Sequence, residues 1–548
     1  MMTVMLKPGP ADQDNRVGYV DVTISLQAIN ASAGAPLFSL PFIVANIDTV
    51  AKTMTGFEAS DANGSLALET KDDSGNVPLP SRRWIPARPV KGNLLVRYRA
   101  PISSAPPTRS GPPWGLQTEG GGFSGAGYVF ILMIEKPEAY GLAVRWDLSA
   151  MGAGNNGSSS FGDGDVEIAE AGAAASLLSG YFMAGPMRHY PEKPTANGFS
   201  SVWLGAPPFD PLPLMSWAEK LHAWYKGFFK DESDKPYRVF LRYNPVNPNG
   251  GVGMFKSFVA TFDERTKPKD LELLLAHEML HTFAPALGDM GTGASSTQWF
   301  SEGLAIYYQR LLPLRAGLIG PEDFLTDLNQ TAGRYYTNLL NDTPNDQIFP
   351  RFWEDTRIRV LPYDRGSMYL SAVNAQIRKA SGGTRSLDDL ILELLERTKK
   401  GLPNDPGTWV EMLTRELGPP AKPEYEAMLA GAVSLPDSDA FGPRFERRVV
   451  KPRRFELGFD PKVMNQSPRI IRDLIPGSEA ERAGLRDGDE ITRPVGLDSV
   501  QGDQQKTLTL LIRRGDKVFP VTYLPRGEIA DAYQWVHVPA VPDADCRY

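Results

Sequence analysis

Residues 273–281, Leu-Leu-Leu-Ala-His-Glu-Met-Leu-His, carry the strongest signal in this chain. In a helix, the i, i+4 spacing puts His277 and His281 on one face, where both imidazoles can reach a single metal ion. Glu278 lies beside them, placed to take a proton from water at that metal. Because the chain has five histidines, this pattern is expected by chance only about 0.003 times. It predicts a Zn²⁺ site with Glu278 as general base; the alternative is an ordinary helix with two buried histidines.

A zinc site needs a third protein ligand, and Glu302 is the candidate. It lies 21 residues after His281, in a helix predicted from Trp299 to Leu311. The next histidine after His281 is His537, so a carboxylate ligand is favoured over a third imidazole. Gly303 follows Glu302 directly. It is expected to let this helix closely approach the helix that carries His277 and His281, here called the zinc helix. The alternative for Glu302 is a solvated charge on a helix face.

The composition excludes several classes of protein. The chain has 548 residues, of which 42% are hydrophobic and 22% charged, as in soluble multidomain proteins. A net charge of −7 argues against nucleic-acid binding. The single cysteine, Cys546, excludes an intrachain disulfide and a cysteine-based zinc site.

The sequence also bears on location. No run approaches the ~18 apolar residues of a membrane span, and no signal peptide is visible at the start. We therefore expect a soluble protein without a membrane span. Its compartment stays open: cytoplasmic, or periplasmic or secreted if a leader was removed.

The pattern of apolar, polar and turn-forming residues changes along the chain. These changes predict a series of domains and secondary-structure elements. Residues 1–175 are predicted to form a β-rich domain, 176–445 a mixed domain, 453–527 a small domain of short strands and turns, and 528–548 a tail. Strands are predicted at 17–26, 93–99, 127–134, 237–243 and 253–262, and helices at 214–230, 267–283, 299–311, 365–380, 386–399 and 408–430. Residues 435–443 have the composition of a linker.

Three motifs together resemble the glycyl aminopeptidase family of gluzincin zinc metallopeptidases. They are the His277-to-His281 helix, Glu302-Gly-Leu-Ala-Ile-Tyr-Tyr308 and Tyr363-Asp-Arg-Gly366. The resemblance covers nearly the whole chain. It implies an α+β multidomain fold: an N-terminal β domain, a thermolysin-like mixed α/β catalytic domain with a helical part, and a C-terminal PDZ-like domain.

The resemblance also implies chemistry. One Zn²⁺ per chain would be bound, and the substrate would be a peptide. Tyr363 would donate a hydrogen bond to the tetrahedral oxyanion, whereas without the resemblance it would be an exposed tyrosine in a turn. Arg365 stands where the family has a lysine.

The segment before the zinc helix departs from the family pattern. Gly250, Gly251, Gly253 and Met254 are the expected substrate-binding residues, on an edge strand predicted to pair with the substrate backbone. Related aminopeptidases carry a glutamate here that grips the free amine of the substrate, but no acidic residue occurs between 244 and 262. We therefore expect weak selectivity for a free N-terminus, and an endopeptidase of the same fold is an alternative.

The C-terminal region resembles a PDZ domain in two places. Leu457, Gly458 and Phe459 match its carboxylate-binding loop, which could capture a peptide C-terminus, and residues 476–491 follow its turn–helix–turn pattern. Residues 497–506, however, are short and polar where the helix that lines the groove should be. The domain is therefore either a peptide binder or a packing module. A catalytically inactive PDZ-containing peptide-binding protein is the alternative from outside the enzymes.

Overall fold

The chain divides into two units, each described here by itself. Unit 1 comprises Met1–Glu219 and Ser233–Leu271, and unit 2 comprises Lys220–Glu232 and Glu272–Tyr548. The structure is a computed structural model that describes residues 1–73, 79–104, 111–136, 138–193, 198–233, 236–288 and 294–539. The domain boundaries expected from the sequence stay predictions.

Unit 1 is built mainly from strands, several of which alternate buried and partly exposed residues, as β-sheets with one buried face do. Its elements, with two helices that continue into unit 2, are β1 (Met2–Pro8), β2 (Tyr19–Ala31), β3 (Phe38–Pro41), β4 (Ile43–Val44), β5 (Ile47–Asp48), β6 (Thr55–Asp61), β7 (Gly64–Ser65), β8 (Leu68–Asp72), β9 (Ser81–Pro86), β10 (Val90–Pro101), β11 (Gln117–Glu119), β12 (Gly122–Ala126), α1 (Gly127–Phe130), β13 (Met133–Ile134), β14 (Ala139–Trp146), β15 (Asn156–Ser159), β16 (Gly162–Asp163), β17 (Val166–Ala173), α2 (Ala175–Leu178), β18 (Tyr181–Gly185), β19 (Arg188–Tyr190), β20 (Phe199–Trp203), α3 (Pro211–Phe228), β21 (Tyr237–Tyr243), β22 (Gly251–Met254), β23 (Ser257–Phe262) and α4 (Pro268–Phe283).

The larger sheets of unit 1 have the strand orders β17-β14-β1-β2-β10-β6-β7, β11-β12-β18-β15-β16, β13-β3-β9-β8 and β19-β20-β21-β23-β22. In the last of these, β20, β21 and β23 run parallel, and β19 and β22 add antiparallel edges. This mixed sheet is the part of unit 1 that directly precedes the zinc helix in the chain.

Two strand predictions in unit 1 are wrong in detail. The strand expected at 253–262 is the hairpin of β22 and β23, because the chain reverses at Phe255 and Lys256, where Lys256 has φ +46°. The strand expected at 127–134 is the short helix α1 followed by β13. Its apolar residues are nearly all buried, and an all-apolar run does not distinguish a buried strand from a buried helical turn.

Unit 2 is mainly helical up to residue 429 and then forms short strands. Its further elements are α5 (Gln298–Arg315), α6 (Pro321–Tyr336), α7 (Asn345–Ile348), α8 (Thr356–Arg359), α9 (Leu361–Ala380), α10 (Leu387–Lys399), α11 (Pro406–Leu417), α12 (Ala421–Leu429), β24 (Phe445–Val450), β25 (Arg453–Phe455), α13 (Glu479–Arg482), β26 (Glu490–Ile491), α14 (Asp498–Gly502), β27 (Leu508–Arg514), β28 (Lys517–Tyr523), β29 (Arg526–Ile529) and β30 (Ala532–His537). The single helix expected at 408–430 is two helices, since Gly418, with φ +78°, ends α11.

Helices α5 and α9 cross in direct backbone contact. A Cβ atom added to Gly303 would lie 2.4 Å from Gly366 Cα, and one added to Gly366 would lie 2.0 Å from the Trp299 carbonyl oxygen. Only glycine allows this separation. Gly303 was expected to face the zinc helix; its close partner is instead the helix that carries Tyr363, because the glycine pair meets at this crossing.

The C-terminal segment has a hydrophobic core of its own. Residues from Phe455 to Tyr523 form one buried cluster, around the sheet β26-β27-β28. The expected tail contributes strands: β29 pairs with β25, and β30 pairs with β24. Residues 540–548, the rest of that tail, lie outside the described residues.

Among the residues that the structure describes, no helix combines the length and apolar character needed to cross a membrane.

The helix crossing can be tested by adding one methyl group. We expect Gly366→Ala to lower the free energy of unfolding by about 1–3 kcal/mol or more, because the new Cβ overlaps backbone rather than a movable side chain. Urea denaturation measures this change. Gly227→Ala in α3 is the matched control, since a Cβ there meets nothing within 4 Å and alanine favours helix. Equal stability of Gly366→Ala and the wild type would contradict the steric argument.

Candidate zinc site

The zinc helix is held from behind by aromatic packing within unit 2. Phe283, at the end of α4, stacks on Phe229 with ring centroids 6.0 Å apart and contacts Tyr225 edge-to-face. The Tyr225 hydroxyl donates a hydrogen bond to the Ala276 carbonyl at 3.2 Å. These contacts fix the backbone of α4 directly beside His277.

The three expected ligands converge on one point. The Nε2 atoms of His277 and His281 are 3.3 Å apart, and Glu302 Oε2 lies 3.3 Å from the first and 3.4 Å from the second. A tetrahedral zinc ion with bonds of 2.0–2.2 Å needs donor–donor separations of about 3.3–3.6 Å. The residues present therefore fit Zn²⁺, and this is the metal-ligand cluster found among the described residues.

The electrostatics of the ligands agree with a metal site. Burial alone would raise the pKa of Glu302, but hydrogen bonding and charge from His277 and His281 outweigh it and lower the pKa to about 2. Burial would lower the pKa of His277, but the hydrogen bond that its ring donates to Glu302 and the charges of Glu278 and Glu302 raise it overall. The Glu302 carboxylate is therefore ionised, which is the form that binds a metal ion.

A hydrogen-bond relay behind His277 fixes the orientation of its ring. Gln309 Oε1 lies 2.9 Å from His277 Nδ1, so Nδ1–H donates there and Nε2 keeps its lone pair for the metal. The Gln309 amide donates in turn to both Asp327 carboxylate oxygens, at 3.0 and 3.1 Å, and Arg310 Nε donates to Asp327 at 2.6 Å. The sequence analysis missed this relay, although Gln309 lies seven residues after Glu302, two turns along the same helix face.

Glu278 and Tyr363 flank the ligands. Burial raises the pKa of Glu278, partly offset by the two histidines. The Tyr363 ring stacks on the His277 ring with centroids 6.0 Å apart. Burial, then the charges of Glu302 and Glu278, raise the pKa of Tyr363 well above its usual value, so its hydroxyl stays protonated and can donate. Tyr363 lies in the first turn of α9 and is half-buried, not exposed in a turn.

Arg365, which stands where the family pattern has a lysine, is buried and hydrogen-bonds to neighbouring backbone and side-chain groups. Its guanidinium is buried and donates to the carbonyls of Asn341 and Thr343, both at 2.7 Å, and to Asn345 Oδ1 at 2.5 Å. These bonds fasten the segment before α7 to the helix of Tyr363. A lysine ammonium lacks the planar fork that makes this arrangement possible.

The other predicted site residues lie elsewhere in the chain. Gly250 directly precedes β22, and Gly251, Gly253 and Met254 belong to it; β22 ends its sheet, with β23 on one side. A Cβ on Gly251 would lie 2.3 Å from the Val259 carbonyl oxygen, so glycine is required there. The segment from Leu457 to Phe459 belongs to the C-terminal hydrophobic cluster, where both of its end residues are buried.

Comparison with known proteins agrees with this geometry. A sequence model of the M61 glycyl aminopeptidase family matches residues 291–344, a tenth of the chain that includes Glu302 and Gln309. No curated protein matches the chain.

One solved structure shares the fold over nearly the whole chain. An aminopeptidase N family protein from Idiomarina loihiensis superimposes with a TM-score of 0.69 at 15% identity, covering 98% of both chains. An M1 zinc metallopeptidase from Deinococcus radiodurans gives a TM-score of 0.49 at 15% identity, over 79% of this chain and 94% of the other. The first of these two matches shows that the chain has an aminopeptidase-like α+β fold. The predicted zinc peptidase is supported by the family match and by the ligand geometry.

The relay yields a test of metal binding. Gln309→Leu should lower zinc affinity by about 10- to 100-fold, because the His277 ring loses the acceptor that orients it. Competition with a zinc-binding chromophore measures the affinity. Gln376→Leu in α9 is the matched control, since that amide bonds the exposed Glu424. If both variants bind zinc like the wild type, the relay has no role in holding the ligand.

Proposed function

We propose that this chain is a zinc-dependent peptidase of the thermolysin-like gluzincin type, with one Zn²⁺ on His277, His281 and Glu302. The observation that carries the proposal is the triangle of donor atoms with sides of 3.3–3.4 Å. A zinc ion bound there would act as a Lewis acid and lower the pKa of a water molecule.

The residues around the ligands supply the rest of the chemistry. Glu278 would accept a proton from the attacking water and pass it to the leaving amine, and its raised pKa suits both steps. The Tyr363 hydroxyl would donate a hydrogen bond to the oxyanion of the tetrahedral intermediate. In comparable sites a donor of this kind contributes about 2.7–4 kcal/mol. An inactive peptide-binding protein is disfavoured, since such a protein has no use for an intact ligand set, base and oxyanion donor.

The substrate backbone is proposed to add to β22. An edge strand presents unpaired N–H and C=O groups, which an extended peptide can pair with. Gly250, Gly251, Gly253 and Met254 would make these contacts. The three glycines have no side chain to cover the backbone. The absence of any carboxylate from 244 to 262 leaves this strand without a partner for a substrate amine.

The C-terminal segment, if PDZ-like, is better suited to packing than to peptide capture. Gly458 is crowded, since a Cβ there would lie 2.6 Å from Ala480 Cβ. Residues 461–465 after the loop form a 3₁₀ helix, whereas strand addition needs an extended edge. Helix α14, where the groove-lining helix is expected, hydrogen-bonds to Thr356 at the start of α8. These contacts favour the packing module over the binder of a peptide C-terminus.

The proposed base can be separated from metal binding by one substitution. Glu278→Gln should keep about one zinc per chain, because Glu278 is not a ligand, while turnover of a peptide substrate falls by ~10² or more. Zinc content is measured by mass spectrometry and turnover by product formation. His281→Ala is the comparison, expected to lose most of the zinc. Stoichiometric zinc in His281→Ala would refute the ligand set, and near wild-type turnover in Glu278→Gln would refute the base.

The end preference follows from the missing carboxylate. A charge-assisted contact to a substrate ammonium contributes ~1.5–3 kcal/mol, or about 10- to 150-fold in kcat/KM. Without one, acetylating the N-terminus of a good peptide substrate should cost less than ~10-fold. A peptide panel with free and blocked N-termini measures this, with Glu278→Gln as the blank. Complete loss of cleavage on acetylation would instead assign an aminopeptidase with an acidic anchor outside residues 244–262.

A further inference from the structure

The short helix α8, which precedes Tyr363 in the chain, is held by the C-terminal segment. A single residue, Val360, separates α8 from α9. Asp498, the first residue of α14, accepts two hydrogen bonds at Oδ1: from Thr356 Oγ1 at 2.6 Å and from Arg359 Nη2 at 2.5 Å. Gln501 Nε2 donates to the same Thr356 hydroxyl at 2.8 Å. Thr356 and Gln501 are buried. One short helix therefore holds both ends of α8.

Helix α14 is itself fixed within the C-terminal segment. The guanidinium of Arg526 is 1% exposed and donates from Nη2 to the carbonyls of Val500 at 2.5 Å and Gln501 at 3.4 Å, and to that of Asp503. The far side of α14 lies against α6, since a Cβ on Gly502 would lie 3.1 Å from the Gln330 carbonyl oxygen. Asp498 is thus presented on a rigid support.

The position of Thr356 is transmitted along the backbone to the first turn of α9. The Val360 amide donates to the Thr356 carbonyl at 3.2 Å, and the Asp364 amide donates to the Val360 carbonyl at 3.0 Å. Tyr363 lies between these bonded residues. A shift of Thr356 would therefore move the start of α9, and a misplacement of about 1 Å in a catalytic group can cost as much as 10²-fold in rate.

We propose that Asp498 is a positioning residue of the zinc site, through which the C-terminal segment holds the Tyr363 hydroxyl in register with the metal ligands. This inference rests on the proposed function for its kinetic effect, but not for its structural effect. It gives the C-terminal segment a part in catalysis without any contact with the substrate.

Two substitutions at Asp498 distinguish the effect of its hydrogen-bond acceptor from the effect of its negative charge. Both hydrogen bonds end on Oδ1, so Asp498→Asn keeps the acceptor and loses the charge, whereas Asp498→Ala loses both. We expect Asp498→Ala to lower kcat about 10-fold with KM and zinc content unchanged, and Asp498→Asn to stay within about threefold of the wild type. The carboxylate is half-exposed and adds little to overall stability. Equal losses in both variants, or no loss in Asp498→Ala, would overturn the proposal.

A matched control lies in the same segment. Glu490 makes an ion pair of 2.8 Å with Arg513, and both partners belong to the sheet β26-β27-β28. Glu490→Ala should leave kcat unchanged. If it lowers kcat as much as Asp498→Ala does, the effect reflects general loosening of the segment, and the specific role of Asp498 is refuted.

A double-mutant cycle with Tyr363→Phe tests whether the effect passes through that hydroxyl. Once the hydroxyl is removed, Asp498→Ala should cost little more in kcat, because coupled residues are non-additive. Losses that multiply would show that Asp498 acts independently of Tyr363 and would overturn the proposal.

Hydrogen exchange gives a readout that does not need activity. The amides of residues 360, 361 and 363–366 should exchange faster in Asp498→Ala than in the wild type or in Glu490→Ala, since the first turn of α9 loses its support. Unchanged exchange there overturns the positioning role. A wild-type protein that cleaves no peptide would instead overturn the proposed function, and the exchange data would still decide this inference.

Discussion

The candidate site depends on the backbone contact between Gly303 and Gly366. Two helices with ordinary side chains cross at 8–10 Å between axes, and this glycine pair removes the side chains from the crossing point. Glu302 immediately precedes one glycine, and Tyr363 lies three residues before the other. The proposed metal ligand and the proposed oxyanion donor are thus positioned by the same contact, so a change in helix separation would displace both relative to His277.

Buried polar networks then specify which way the helices face. Arg334 bonds the buried Asp364 next to Tyr363, with Nε donating at 2.7 Å, and Arg310 bonds Asp327 behind His277. Buried ion pairs contribute little net stability, since desolvation offsets the attraction. Their effect here is on geometry: a buried charge without its partner is costly, so rotations that separate these pairs are disfavoured. The relay through Gln309 applies the same constraint to the imidazole ring.

The sequence predicts the parts of the site that depend on local spacing. His277, Glu278 and His281 share one helix, so period 3.6 alone places them, and the elimination of other histidines points to Glu302. The helix predicted to pack against Gly303 was wrong, because a glycine indicates a close backbone contact but not which element makes it. Gln309 and Asp498 were missed for a related reason. Their roles arise from contacts with residues 32 and 142 positions away in the chain, and no periodic pattern encodes such pairings. Likewise, the β22–β23 hairpin was missed because its turn has neither an Asn-Gly nor an Asp-Gly signal.

The pKa values of the two carboxylates beside the histidines are shifted in opposite directions, which agrees with the different roles proposed for them. Both are desolvated, and desolvation favours the neutral acid. In Glu302 the hydrogen bonds from two imidazoles outweigh desolvation, and its pKa falls to about 2. Glu278 has the histidine charges nearby, but burial prevails and its pKa rises. A group that stays ionised at every working pH suits a metal ligand. A carboxylate whose proton affinity is increased suits a group that must accept a proton from water and then release it. Pairs of groups whose pKa values are moved apart in this way mark acid–base sites in enzymes, and in this chain the division follows from which of the two carboxylates the histidines can reach.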